Sequence, residues 1–205
     1  MLPIAGAPEQ IYYRNKLEFT FSNKRYLTEG EITEEGIIPY QNSLGYHAPR
    51  IFDKTIDIFQ CFLMDEVNNR IRNTVRDFAL ENNYPFYDIK EHTGWLRNLI
   101  VRYCTTGELM VNLCINFEDA AQTKNILDNL LVKVPEITTL LYTVNPKWND
   151  TIYDLEPQVY FGKGYVTERL ENFEFIISPK SFFQTNTKQA EKLYSIARDF
   201  AQLTG

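Results

Sequence analysis

Residues 95–116 narrow the fold choices most. WLRNLIVRYC (95–104) and ELMVNLCIN (108–116) are two largely apolar runs rich in branched residues, separated only by Thr105-Thr106-Gly107. Two such runs around a short, glycine-ended turn predict a β-hairpin, with Gly107 free to take a positive φ. KLEFTFSN (16–23) alternates polar and apolar residues, as a half-buried strand does. LGYHAPRIFDKTIDI (44–58) reads as short strands around a turn, ITTLLYTV (137–144) as a buried strand, and shorter strands are expected near 158–161, 165–170 and 173–177.

Three helices are expected among these strands. One runs over about 66–82, capped by Asp65, with Val67, Ile71, Val75, Phe78 and Ala79 on one face. The second covers about 118–132 with Ile126, Leu127, Leu130 and Leu131 inward. The last starts at Asn186 or Thr187. Asn186 with Gln189 three residues on has the capping-box spacing, and Ala190, Leu193, Tyr194, Ala197 and Phe200 share an apolar face. The order is mixed, so the expected fold class is α+β: helices packed on a largely antiparallel sheet. Residues 1–10 read as a linker, and the acidic stretch 28–43, with Gly30, Gly36 and Pro39, as an exposed loop.

Bulk properties exclude several classes. The chain has 205 residues, enough for a sizeable core, and a net charge of −6, unlike a general nucleic-acid coat protein. A local basic groove is still compatible with that balance. Cys61, Cys104 and Cys114 show no CxxC spacing, which fits a reducing cytoplasm better than a disulfide framework. With only His47 and His92, a multi-histidine metal site is excluded; no apolar run is long enough to span a membrane. Neither GxGxxG nor GxxxxGK[ST] occurs.

Four stretches carry candidate chemistry, each with a bland alternative. In YYRNKLEF (12–19), Arg14 and Lys16 share a strand face and Tyr13 offers a stacking ring, a pattern for phosphate and base contact; a solvated strand edge reads the same way. In GWLRNLIVR (94–102), Arg97 and Arg102 are five apart, so a regular strand points them to opposite faces. Cys61 lies in DIFQCFLM, a setting that suits an inert core thiol. SPKSFFQTNT (178–187) sets Phe182 and Gln184 two apart, so that a ring can stack on a base while an amide pairs with its edge; equally, the phenylalanines can staple the following helix.

Taken in order, YYRNKLEFTFS, LGYHAP…DI..C, GWLRNLIVR and SPKSFFQTN resemble the tRNA/rRNA uracil-5-methyltransferase family, most closely its 23S rRNA branch, over about residues 8–205. The resemblance implies a central α+β RNA-recognition domain over 11–180, a linker before it, and at 181–205 the start of a catalytic domain whose nucleophilic Cys and base Glu would follow. It implies that Gln184 and Phe182 border the target uridine and the S-adenosylmethionine cofactor. Tyr13, Arg14, Lys16 and Arg97 would face RNA, and Cys61 matches the fourth ligand of a [4Fe–4S] cluster found in some members. By that resemblance the 205 residues alone are inactive, with RNA and not DNA or membrane as partner. The competing expectation is a stand-alone RNA- or protein-binding module.

Overall fold

The computed structural model describes residues 3–27, 31 and 40–202. The acidic stretch expected at 28–43 falls largely outside them. Nine strands and three helices are described, and the order follows the hydropathy pattern closely. Strands β1 (Lys16–Ser22), β2 (Ser43–Ala48) and β3 (Ile51–Asp57) precede helix α1 (Val67–Glu81). The hairpin β4 (Leu96–Tyr103) and β5 (Leu109–Ile115) follows, then α2 (Ala120–Lys133), β6 (Thr139–Val144) and β7 (Gln158–Phe161). Strands β8 (Val166–Leu170) and β9 (Phe173–Ile177) lead into α3 (Thr187–Ala201).

Seven strands form one sheet in the order β3-β2-β1-β4-β5-β6-β7, and β8-β9 form a separate two-stranded sheet. Every pairing is antiparallel except β5 with β6. A parallel neighbour needs a crossover, and α2 supplies it. Strands β4 and β5 are buried almost throughout, so their apolar residues serve both sheet faces. On one face Leu99, Val101, Val111 and Leu113 meet Ile71 and Val75 of α1 and Ile126 and Leu130 of α2. The other face is covered by loops and by the β8–β9 hairpin: Ile100 and Cys114 pack on Ile152, and Met110 packs with Val166 and Ile177.

Two expectations change in detail. Asp65 does accept from Val67 N–H at 3.0 Å, but the residue heading α1 is Glu66, which makes no side-chain cap. Asn186 caps α3 by accepting from Gln189 N–H at 3.0 Å, yet the reciprocal half of a capping box is missing: the Gln189 amide donates to Ala5 O at 3.1 Å instead. Of the apolar face of α3, only Ala190 is buried; Leu193 and Phe200 are 52% and 68% exposed.

Candidate RNA-binding groove

Just before β1, residues 14–15 run alongside residues 184–187. Asn15 N–H donates to Thr185 O at 2.7 Å, and its Nδ2 donates to both Gln184 O and Thr187 Oγ1 at 2.8 Å. Its carbonyl accepts from Tyr103 N–H at 2.9 Å, anchoring the clasp to the end of β4. Arg14 Nη2 reaches Thr185 Oγ1 at 3.4 Å. The Thr187 hydroxyl then donates to Glu168 Oε2 at 3.3 Å. Glu168, fully buried, also accepts from Thr105 and from Arg169 N–H. The two motifs that looked most distinctive in the sequence, some 170 positions apart, are thus one hydrogen-bonded unit. None of Asn15, Thr187 or Glu168 was singled out from the sequence. For Asn15 the signal was present: it alternates with Arg14 and Lys16 at the start of a strand, so it turns inward where they do not.

Around this clasp the surface is hollowed. A cavity of about 190 Å³ opens between Tyr13, Arg14, Tyr103, Thr105 and Asn186. Arg14 is shared with a neighbouring depression that includes Lys16, Tyr46 and Thr185. Lys16 is shared in turn with a third, bordered by Asp150, Tyr153 and Lys180. The three adjoin one another, with Arg14, Lys16, Lys180 and Lys188 along them and with Glu9, Asp65, Glu18 and Asp150 beside these, so the charge of the groove is mixed. The Arg14 Nε is buried with no hydrogen-bond partner among the described residues. Glu18, between the second and third depressions, has its carboxyl pushed up by burial, with Lys16 partly opposing. Lys16 Nζ lies 3.8 Å from this carboxylate as an ion pair.

The SFFQTN segment divides at its centre. Phe183 packs with Val166 and Ile177 and sits 5.8 Å, ring to ring, from Phe175. Phe182 turns the other way and is 81% exposed. Gln184 spends its carbonyl on Asn15, while its side-chain amide makes no hydrogen bond among the described residues. An exposed ring and an unspent amide lie two residues apart on a backbone held by the clasp.

Two expected site residues lie elsewhere. Arg97 does not face the groove. It is 1% exposed and donates to Asn145 O (2.7 Å), Lys147 O, Asn149 O (3.0 Å) and Asp150 Oδ1 (3.1 Å). A β-bulge between Leu96 and Asn98 breaks the alternation that would have sent Arg97 and Arg102 to opposite faces. Arg97 grips the 145–150 loop and Arg102 donates to Ser181 O at 3.3 Å; both segments border the third depression. Cys61 is a buried thiol 3.7 Å from Tyr46 Oη, and its backbone is tied to Asn68 and Asn69. A [4Fe–4S] cluster needs several thiolates together. Among the described residues no three metal-ligating side chains gather and the three cysteines are free and dispersed, so Cys61 is the one thiol they bring to such a site. Burial, aided by the nearby Glu168 carboxylate, pushes the Cys104 thiol up to about 12; burial likewise raises Cys114. Neither is a thiolate near neutrality, so neither is poised as a nucleophile.

No family model matches the chain. An uncharacterized RNA methyltransferase of Bacteroides thetaiotaomicron is 48% identical over 206 residues, which is 99% of this chain and 45% of that protein. One from Porphyromonas gingivalis is 44% identical over 210 residues, 100% of this chain and 45% of the relative. Over its whole length the chain is thus similar to proteins named as RNA methyltransferases. In fold, it is similar to the crystal structure of Pyrococcus abyssi tRNA (uracil-54, C5)-methyltransferase in complex with S-adenosyl-L-homocysteine. The TM-score is 0.69 at 23% identity, over 97% of this chain and 43% of that one. The α+β architecture read from the sequence is the fold of that neighbour. The chain spans under half the length of these relatives.

Proposed function

We propose that this chain is the RNA-recognition part of an S-adenosylmethionine-dependent enzyme that methylates uridine at C5, with 23S rRNA as its substrate. The observation that carries this reading is the clasp joining Arg14-Asn15 to Gln184–Thr187, because it holds the Arg14 end of the groove and the Phe182–Gln184 pair together. Arg14 and Lys16 hold backbone phosphates and set the register of the RNA. Phe182 stacks on an unpaired base, and the Gln184 amide, both donor and acceptor, pairs with a uracil edge. Taking the target base out of the RNA stack is what brings it to such a pair.

S-adenosylmethionine, when bound, supplies the methyl group. Phe182 and Gln184 suit a flat heteroaromatic ligand but make only one wall of a site, so the chain contributes to cofactor and uridine binding without enclosing either. In this reading residues 1–10 are a linker, 11–180 recognise RNA, and 181–205 begin the catalytic unit of a cytoplasmic enzyme.

The test is binding of a single-stranded 23S rRNA segment by Arg14→Ala and Lys16→Ala across a salt series. Each loss of a phosphate contact should weaken binding for all sequences alike and make the log–log salt slope shallower by about 1. Unchanged affinity and slope in both variants would remove the groove from the RNA path.

A further inference from the structure

Arg97, displaced from the groove, has built something at the far side of the 145–156 loop. Its guanidinium donates to the carbonyls of Lys147 and Asn149, the two neighbours of Trp148. The Tyr87 ring lies 4.2 Å from the same guanidinium. Tyr87 Oη in turn is 3.2 Å from His92 Nδ1. The His92 imidazole is stacked on the Trp148 indole, with centroids 4.5 Å apart and planes within 4°. His92 is presented by a backbone with φ +55°. One buried arginine thus fixes both the loop that carries the indole and, through Tyr87, the ring that orients it.

The outcome is unusual for an aromatic on a loop. Trp148 is 75% exposed although one of its faces is covered by His92, so its other face is open to water. Core packing does not account for a ring held flat in this way. The chemistry that uses a large, flat, pre-oriented π surface is base stacking, which tolerates any base. The loop also ties this ring to the groove: a few residues after Trp148, Asp150 and Tyr153 border the third depression opposite Lys16 and Lys180.

We infer that Trp148, oriented by His92 and by the Arg97 clamp, is a stacking platform for an unpaired RNA base beyond the Lys16–Lys180 end of the groove. This rests on the groove's being the RNA path. Arg97 is then a positioning residue that acts on RNA through Trp148. Protein ligands also use exposed tryptophans, but the continuity of the loop with the depression that holds Lys16 and Lys180, in a chain similar to RNA methyltransferases, favours a nucleotide.

The experiment uses the chain as it is and a short single-stranded oligouridylate. Of its two tryptophans, Trp95 is buried and Trp148 is not, so quenching of tryptophan emission by the oligonucleotide reads the platform. Oligouridylate should quench it, and an abasic oligomer of equal length should not. Trp148→Ala should weaken binding roughly five- to a hundredfold, and Trp148→Phe should recover most of that loss. Thermal unfolding of the variants should match the parent, since the side chain is exposed. If Trp148→Ala binds like the parent while Arg14→Ala binds more weakly, the platform is wrong and the groove stands. If only Trp148→Ala loses affinity, the groove reading fails, and with it the platform's placement at the end of that RNA path. If the parent binds no oligouridylate, both fall.

Discussion

At the scale of single residues, Asn15 matters more than its charged neighbours for holding the site together. Its amide nitrogen serves two acceptors from 170 positions away, in a buried place where water cannot substitute. Asn15→Ala should therefore cost about 1–3 kcal/mol in a urea unfolding series, and should loosen 184–187 as seen by hydrogen exchange. Thr187→Ala should show part of the same loss, with coupling to Asn15→Ala in a double-mutant cycle. A second residue-scale effect lies at Asp88. Burial pushes its carboxyl up, but hydrogen bonds from Lys24, Asn23 and the Glu91 and Lys90 N–H groups outweigh that and hold it well below the usual carboxylate range. A folded pKa below the unfolded one means the stabilisation is present above the unfolded value, about 3.9, and is lost as pH falls through the folded value. Asp88→Asn should then be less stable than the parent at neutral pH, and the gap in melting temperature should close below about pH 4. At this scale the sequence was half legible. The outward turn of Phe182 beside the inward Phe183 agrees with the reading of that stretch. The burial of Arg97 was not legible, because its acceptors are backbone carbonyls of a loop 50 residues away and carbonyls leave no trace in residue identity.

At the scale of elements, the β4–β5 hairpin and its approach contain two glycines that behave differently. Gly107, φ +84°, is the turn residue anticipated from TTG, and a Cβ there would meet nothing within 4 Å. Gly94, φ +97°, precedes β4, and a Cβ there would lie 2.3 Å from Phe86 O, a backbone atom that cannot step aside. Gly107→Ala should cost about 1–2 kcal/mol from dihedral strain alone. Gly94→Ala should cost upwards of about 3 kcal/mol and displace the 85–87 segment, together with the Tyr87 ring on Arg97. Denaturant midpoints of the two variants check the ordering, and equal losses would contradict it. Strands and helices were readable from periodicity because burial on a sheet face or helix stripe repeats with a fixed step. The bulge between Leu96 and Asn98 was not, since one inserted residue changes no residue type yet flips the phase of all that precedes it. The exposed stripe of α3 shows the same limit: Leu193 and Phe200 are spaced to be buried, but spacing does not say against what.

For the molecule as a whole, the question is whether a chain with a formed groove and half of a ligand pair can do chemistry. Carbon methylation of uracil needs an activated nucleophile and an enclosed cofactor beside the flipped base. The chain's three cysteines are buried, and Cys104, the one that lines the first cavity, is held protonated by burial and by Glu168. Freeing a thiolate there would also disturb the Thr105–Glu168–Thr187 links on which the clasp depends. In the proposed function, recognition and reaction separate. The purified 205-residue chain should bind single-stranded RNA with a salt-dependent affinity, and should transfer no label from methyl-labelled S-adenosylmethionine to 23S rRNA. Phe182→Ala and Gln184→Ala should leave phosphate-driven affinity nearly intact, because they touch the base and not the backbone, while removing any preference for uracil over cytosine in competition. Label transfer by this chain would mean that a nucleophile other than a cysteine operates in the groove. A uracil preference surviving both substitutions would put the base-reading contacts away from SFFQTN.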